Sequence, residues 1–469
     1  MFILFVSIGF YLEIDNLYLL PIPLIALYLC IYHTVFYTLI LCFLIPFSIF
    51  IDDIGSGFGI SIPTEPMIWL LFTFYILKLF IKGQIDWQKL KMPLVFFLVI
   101  NLIWMLFSVI ASSMPLVSFK YYIARLWFVF IFYFFLLDIF KNPNIIRKFL
   151  SYMLFGTFLL VLITLFKHSK ESFTRGWGYD IMKPFFEEHT MYSAYVSFFV
   201  PIALMFATRG GYFKFNFSYR LFFLLVFITL ILGIIFSFTR ASWISLLAAA
   251  VFYIFIQFKI SFNQILSILF LAALIGFSKQ DQILYSLEKN KQGSADDIEA
   301  HAQSVSNITT DPSNLERVNR WHCAFLMFKE RPIFGFGPGT YTFQYAPFQR
   351  PENLTLISTN SGDLGNTHSE YFNALSETGL VGFISWVGLF LSSIWLGLSI
   401  IYKTNNPLWV KSLAKAVLLG LFTYYIHAFL NNFSDFDKIA APFWGFLAIL
   451  TALKFYHSND EVIIEKSLD

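Results

Sequence analysis

His368 stands in the run NTHSEYFNALSETGLVG (residues 366–382), where a polar stretch meets a long apolar one. Imidazole is the side chain whose ordinary pKa lets it take a proton near neutral pH, although a histidine at a loop-to-helix junction is also a common structural residue. Glu370 and Glu377 follow in the first turns of the predicted helix, where carboxylates suit the positive end of the helix dipole. Arginines offer a second kind of chemistry. Arg240 lies in FSFTRASW between two apolar runs, and Arg125 lies more than a turn inside the segment KYYIARLWFVF. A charge so placed is costly unless it snorkels to the interface or meets a partner. Arg317 and Arg320 are three residues apart on the amphipathic segment SNLERVNRWHCAFLMFKERP, so they share a face, with Arg331 behind them. That face is either a solvated one or a binding one. Guanidinium is planar, permanently charged and pairs bidentately with phosphate oxygens, so a diphosphate suits such a cluster. Gly335, Gly337 and Gly339 in IFGFGPGTYTF could cradle a phosphate or simply make a turn; no strand precedes them, which favours the turn. Neither HSE nor EEHT (Glu187, Glu188, His189) has the spacing of a metal-ligand motif, so no metal and no other cofactor is expected. Asp435 and Asp437 read as loop carboxylates in solvent.

These residues must be positioned by a membrane-spanning scaffold. The chain has 469 residues, 58% hydrophobic and only 13% charged, with a mean hydropathy of +0.69. A bilayer core needs about 20 apolar helical residues per crossing, and such segments recur from end to end. The expected fold is an all-α, polytopic transmembrane helix bundle of about 14 helices, give or take two. The 61 phenylalanines and 24 tyrosines are absorbed by lipid-facing helices and interfacial belts, and so do not mark an aromatic site. A formal charge of +3 is too small to suggest nucleic acid, so none is expected as a partner. Three cysteines, two of them inside apolar segments, provide no disulfide framework.

Lysine and arginine then orient the bundle, because short cytoplasmic loops carry an excess of them. The connections holding Lys78 to Lys91, Lys141 to Lys148, Arg209 to Arg220, Lys259, and Lys403 with Lys411 are basic. Placing all of them in the cytoplasm puts both termini there and forces residues 278–376 to the opposite face as a helical extracytoplasmic cap. The expected organisation is therefore a first bundle part at 1–277, the cap at 278–376, and a last bundle part with a short tail at 377–469.

The pattern resembles the O-antigen ligase and polymerase superfamily of bacterial membrane glycosyltransferases. That family carries a His followed by Asn, Ser or Gln, nine residues and Gly-x-x-Gly; His368, Ser369, Glu370 to Thr378, Gly379 and Gly382 reproduce this spacing. Arg317, followed by Pro332, Ile333, Phe334, Gly335, Phe336 and Gly337, matches a second family segment. Trp321 stands where the ligase form of that segment has leucine, which leaves ligase and polymerase both open. Ser237, Phe238, Thr239 and Arg240 reproduce a Ser-x-[Ser/Thr]-Arg turn. The resemblance implies a GT-C-like fold and a metal-independent, inverting transfer at the outer face of the bacterial inner membrane. The glycan would pass from an undecaprenyl-diphosphate-linked donor to a lipid core or growing glycan. It also implies His368 as the catalytic base and Arg240, Arg317, Arg125 and Arg320 as the donor diphosphate site. A polysaccharide polymerase or protein O-oligosaccharyltransferase fits the same motifs. A transporter or flippase of lipid-linked sugar fits the many helices, but fits a one-sided cap poorly.

Overall fold

A computed structural model describes residues 21–51, 59–82, 91–278, 312–351, 354, 358 and 365–458. It is an all-α, multi-pass membrane bundle. In chain order the principal helices are α1 (Pro21–Tyr32), α2 (Thr34–Leu44), α3 (Thr64–Lys82), α4 (Pro93–Ile110), α5 (Pro115–Val129), α6 (Pro143–Lys170) and α7 (His189–Arg209). They continue with α8 (Phe217–Ile235), α9 (Arg240–Gln257), α10 (Phe262–Ser278), α11 (Pro312–Glu330), α12 (Glu370–Tyr402), α13 (Leu408–His427) and α14 (Asp437–Tyr456). Among the described residues nine helical segments are long and apolar enough to cross a membrane. A two-stranded antiparallel hairpin, β1 (Ile49–Ile51) with β2 (Ile60–Ile62), lies between α2 and α3. The sequence also leads one to expect a short apolar helix at Met1 to Leu12; it lies outside the described residues, as do residues 279–311 and most of 352–364 of the expected cap and the tail after residue 458. The helix expected over Thr34 to Ile51 ends before residue 48, and its last three residues form β1 instead.

Local sequence sets the helix starts. Pro93, Pro115 and Pro143 each occupy the first turn, where a missing N–H costs nothing and a fixed φ is already helical. Asn142 adds a cap, its side chain accepting from the Asn144 amide at 3.0 Å. Packing depth then sorts the spans. The windows at His189–Phe213 and Asp437–Tyr456 are 83% buried, against 22% at Thr64–Ile81. α7 and α14 are therefore the interior of the bundle and α3 part of its lipid-facing rim, which is why α14 is apolar on every side.

The main core runs through the bundle. A separate small core of Cys323, Ala324, Met327, Phe336, Tyr341 and Tyr345 holds α11 and the glycine segment together at one end. α12 begins ten residues before the apolar stretch that announces it. Its polar first turns pack on α11, and the chain bends at Gly379 (φ 67°, ψ −166°) before the apolar part begins. A hydropathy pattern sees only the second portion.

Candidate functional site

The site is built where α11, the glycine segment and the start of α12 meet. The Phe336 amide donates to Ser376 O at 3.0 Å, that of Gly337 to Glu377 O at 2.9 Å, and that of Leu380 to Pro332 O at 2.9 Å. The two motifs thus lie against one another, backbone on backbone. Gly335 (φ 69°) and Gly379 (φ 67°) make this approach possible, since a Cβ on them would stand 2.3 Å from the Glu377 carbonyl carbon and 2.1 Å from Ile333 O. The glycine segment does hold an anion, but the anion is Glu377. Its carboxylate accepts from the amides of Gly339 and Tyr341, both at 2.9 Å, and from Asn373 Nδ2 at 2.9 Å. Those amides are taken up by a carboxylate of the chain itself.

His368 sits at the mouth of this junction. It is half-buried and adopts a left-handed backbone (φ 49°), fixed by its amide donating to Asn366 Oδ1 at 2.9 Å. Trp321, one turn after Arg317 on α11, stacks on Phe372 with centroids 5.3 Å apart and turns its Nε1 hydrogen toward His368 O at 3.5 Å. The residue that departs from the ligase form of the motif therefore touches the backbone of the histidine. Burial, followed by the charges of Arg317 and Arg320, pushes the His368 imidazole down to about 3. The ring is neutral at neutral pH and has a free electron pair for a proton.

The four arginines are placed differently. Arg317 is half-buried and donates Nε to Leu430 O at 3.3 Å, in the turn that follows α13. Arg320 is buried, ion-paired to Glu316 at 2.5 Å and laid over the Tyr345 ring at 3.9 Å. Arg240 is half-buried at the first position of α9. Arg125 lies beneath the site, 3% exposed, with Nε donating to Asp435 at 2.7 Å and Nη2 to Ser434 Oγ at 3.1 Å, and with Trp386 5.0 Å below its guanidinium. Tyr121 also donates to Asp435.

Several supporting residues differ from the sequence expectation. Asp435 and Asp437 are not solvated loop carboxylates. Asp435 binds Arg125, and buried Asp437 accepts from Ser48 at 2.7 Å and Thr64 at 2.6 Å. Glu370 accepts from Ser434 N (2.7 Å), Ser434 Oγ (2.9 Å) and Tyr424 OH (2.7 Å), tying the start of α12 to the turn that also holds Arg317. His427 also belongs to this support, although its sequence context does not mark it. Buried at the end of α13, it contacts Ser242 Oγ at 3.2 Å through Nε2 and Asn431 Nδ2 at 3.2 Å through Nδ1. It therefore joins the first turn of α9, which begins with Arg240, to the turn whose carbonyl holds Arg317. An isolated histidine within an apolar run gives no spacing signal for this.

The neutral His368 imidazole thus lies within reach of the charges of Arg317 and Arg320. Such a set can take a proton from a hydroxyl and offset negative charge on a departing group. Residues 225–387 match the family model described as O-antigen ligase. No curated protein matches the chain. The matched span includes Arg240, Arg317, Arg320, His368, Gly379 and Gly382, and leaves Arg125 outside.

Proposed function

We propose that this chain, whose residues 225–387 match the O-antigen ligase family model, transfers a glycan from an undecaprenyl-diphosphate-linked donor to an acceptor hydroxyl at the outer face of the bacterial inner membrane. The donor tail lies among the helices, and its diphosphate meets Arg317 and Arg240. Arg320 and Arg125, whose guanidiniums face Glu316 and Asp435, support that site from beneath. The acceptor oxygen attacks the anomeric carbon from the face opposite the diphosphate. His368 takes the hydroxyl proton on its free ring nitrogen as the new C–O bond forms. The bond to the diphosphate breaks with its electron pair, and the arginines offset the charge that collects there. Configuration at the anomeric carbon inverts.

The observation that carries this reading is the joint placement of His368 and Arg317, linked through Trp321 on one side and the Leu430 turn beside Glu370 on the other. Sidedness is supported by charge. Lys141, Arg147, Lys148, Arg209, Lys214, Arg220, Lys259, Lys403 and Lys411 all lie in connections or helix ends at the opposite end, and short cytoplasmic connections carry such an excess of basic residues. The end of α14 is then cytoplasmic, and so is the turn between α1 and α2.

Purified protein given a synthetic lipid-diphosphate-linked glycan and an acceptor, with no nucleotide or ion gradient, is expected to form product. His368→Ala should lower turnover by about 10²–10⁴-fold with donor binding retained. Near-normal turnover would return the histidine to a structural role. Trp321 keeps the polymerase reading in view. Deletion of the gene distinguishes the two, since loss of a polymerase leaves single repeats and loss of a ligase leaves unattached polymer.

A further inference from the structure

At the end of the bundle opposite His368, the start of α6, the turn after α7 and the start of α13 enclose a cavity of about 220 Å³. Arg147 and Lys214 line it, and no aspartate or glutamate does. Arg147 is held in place: Nη1 donates to Phe213 O at 2.9 Å, and its guanidinium lies 5.8 Å from the Phe215 ring centroid. Neither cation meets a carboxylate among the described residues. Asn144, in the first turn of α6, adds the positive end of a long helix. A half-buried guanidinium and a lysine converging on an acid-free hollow are a site for an anion.

The surroundings say which anion. Trp409 and Tyr212 line the same cavity, and residues of this kind collect at the level of lipid headgroups. Exposed apolar side chains stand next along the chain to its lining, Leu408 before Trp409 and Phe217 three residues after Lys214, 60% and 76% exposed. A soluble ion would have no use for such a rim, whereas acyl chains would lie along it. We infer that this cavity binds the phosphate headgroup of an anionic membrane phospholipid, in the leaflet opposite the one where the glycan chemistry is proposed. The inference stands without the transfer reading, because no catalytic side chain takes part in it.

The test uses the full chain in detergent. Thermal unfolding and lipid titration are followed with phosphatidylglycerol, with phosphatidylcholine and with inorganic phosphate as separate additions. Phosphatidylglycerol is expected to stabilise the protein and to bind about tenfold or more tightly than phosphatidylcholine. Arg147→Gln with Lys214→Asn should erase that preference. Lys214→Asn alone should reduce it by about fivefold. This single variant decides the matter if the double one does not fold, since Lys214 is exposed and its left-handed backbone (φ 60°) suits asparagine. An unchanged preference in Lys214→Asn, or equal binding of the two lipids by the parent protein, overturns the inference. Protection by inorganic phosphate equal to that by phosphatidylglycerol assigns the cavity to a soluble anion and overturns the lipid source.

Discussion

Arg125 and Arg317 belong to the same end of the bundle, yet they are held in opposite ways. Arg125 is enclosed: Asp435 and Ser434 take its hydrogen bonds, and Trp386 lies against its guanidinium. Its charge is neutralised within the fold, and it pins α5 to the turn before α14. Arg317 is half-buried on α11, with Nε donating to the Leu430 carbonyl, and its charge reaches the His368 ring. A buried ion pair costs desolvation and is retained for the geometry it fixes, whereas a half-buried guanidinium stands where an approaching anion can reach it. On the proposed reading Arg125 serves architecture and Arg317 chemistry, although both are arginines in the sequence.

Substitution at the two positions should separate stability from turnover. Arg125→Met leaves Asp435 and Glu370 without their cation, and breaking a buried pair in this way costs about 3–5 kcal/mol. The lower end is expected because the Asp435 side chain is 26% exposed. A fall in melting temperature in detergent is the readout, partly recovered by adding Asp435→Asn; an unchanged melting temperature would remove Arg125 from the architecture. Arg317→Ala should do the reverse. Turnover drops by about 10²–10³-fold, the usual loss when one charge-stabilising donor is removed, while the melting temperature stays near that of the parent. Unimpaired transfer would refute the assigned role.

His427 sharpens the same contrast from between the two arginine-bearing elements. His427→Ala leaves Ser242 and Asn431 without a shared partner in the interior, a loss of about 1–3 kcal/mol for buried polar groups. It also loosens the spacing of Arg240 and Arg317. The expected signature is weaker donor binding with a smaller change in turnover at saturating donor, together with a lowered melting temperature. Equal losses in Arg240→Ala and in the double variant would support the coupling, and simple additivity would argue against it.

How far the sequence reaches follows from the range of the forces involved. The spans were legible because burial in lipid acts residue by residue, and the meeting of His368 with Arg317 was anticipated only through the motif resemblance. Contacts between remote positions were not legible. Arg125 and Asp435 are 310 residues apart, and nothing in either local pattern points to the other. Glu370 and Glu377 looked like residues that favour a helix start. Seven residues apart, they fall near one face, and one is held by the Ser434 turn while the other fills the amide cradle of Gly339. A carboxylate of the chain in a cradle that phosphate could occupy is invisible until the two segments are brought together.

The smallest effect concerns protonation. A ring pushed down to about 3 is a poor base at neutral pH, because a base works best when its pKa is near the operating pH. Burial is the first cause of the depression, and the charges of Arg317 and Arg320 add to it. A bound diphosphate would offset those charges and let the imidazole rise toward its ordinary value, so the base strengthens only once the donor is in place. The profile of kcat/KM, which follows the free protein, should therefore show no loss from His368 as pH falls through 6.5. The acid limb of kcat, which follows the complex, should lie at higher pH. Arg317→Gln raises the ring in the free protein and narrows the gap. Folding carries the same sign: the unfolded chain takes this proton near 6.5 and the native one near 3, so stability is full above 6.5 and declines as pH falls toward 3. His368→Gln should flatten that decline. Identical acid limbs for kcat and kcat/KM in the parent protein would show that the donor leaves the imidazole unaffected, and the coupling between anion and base would be lost.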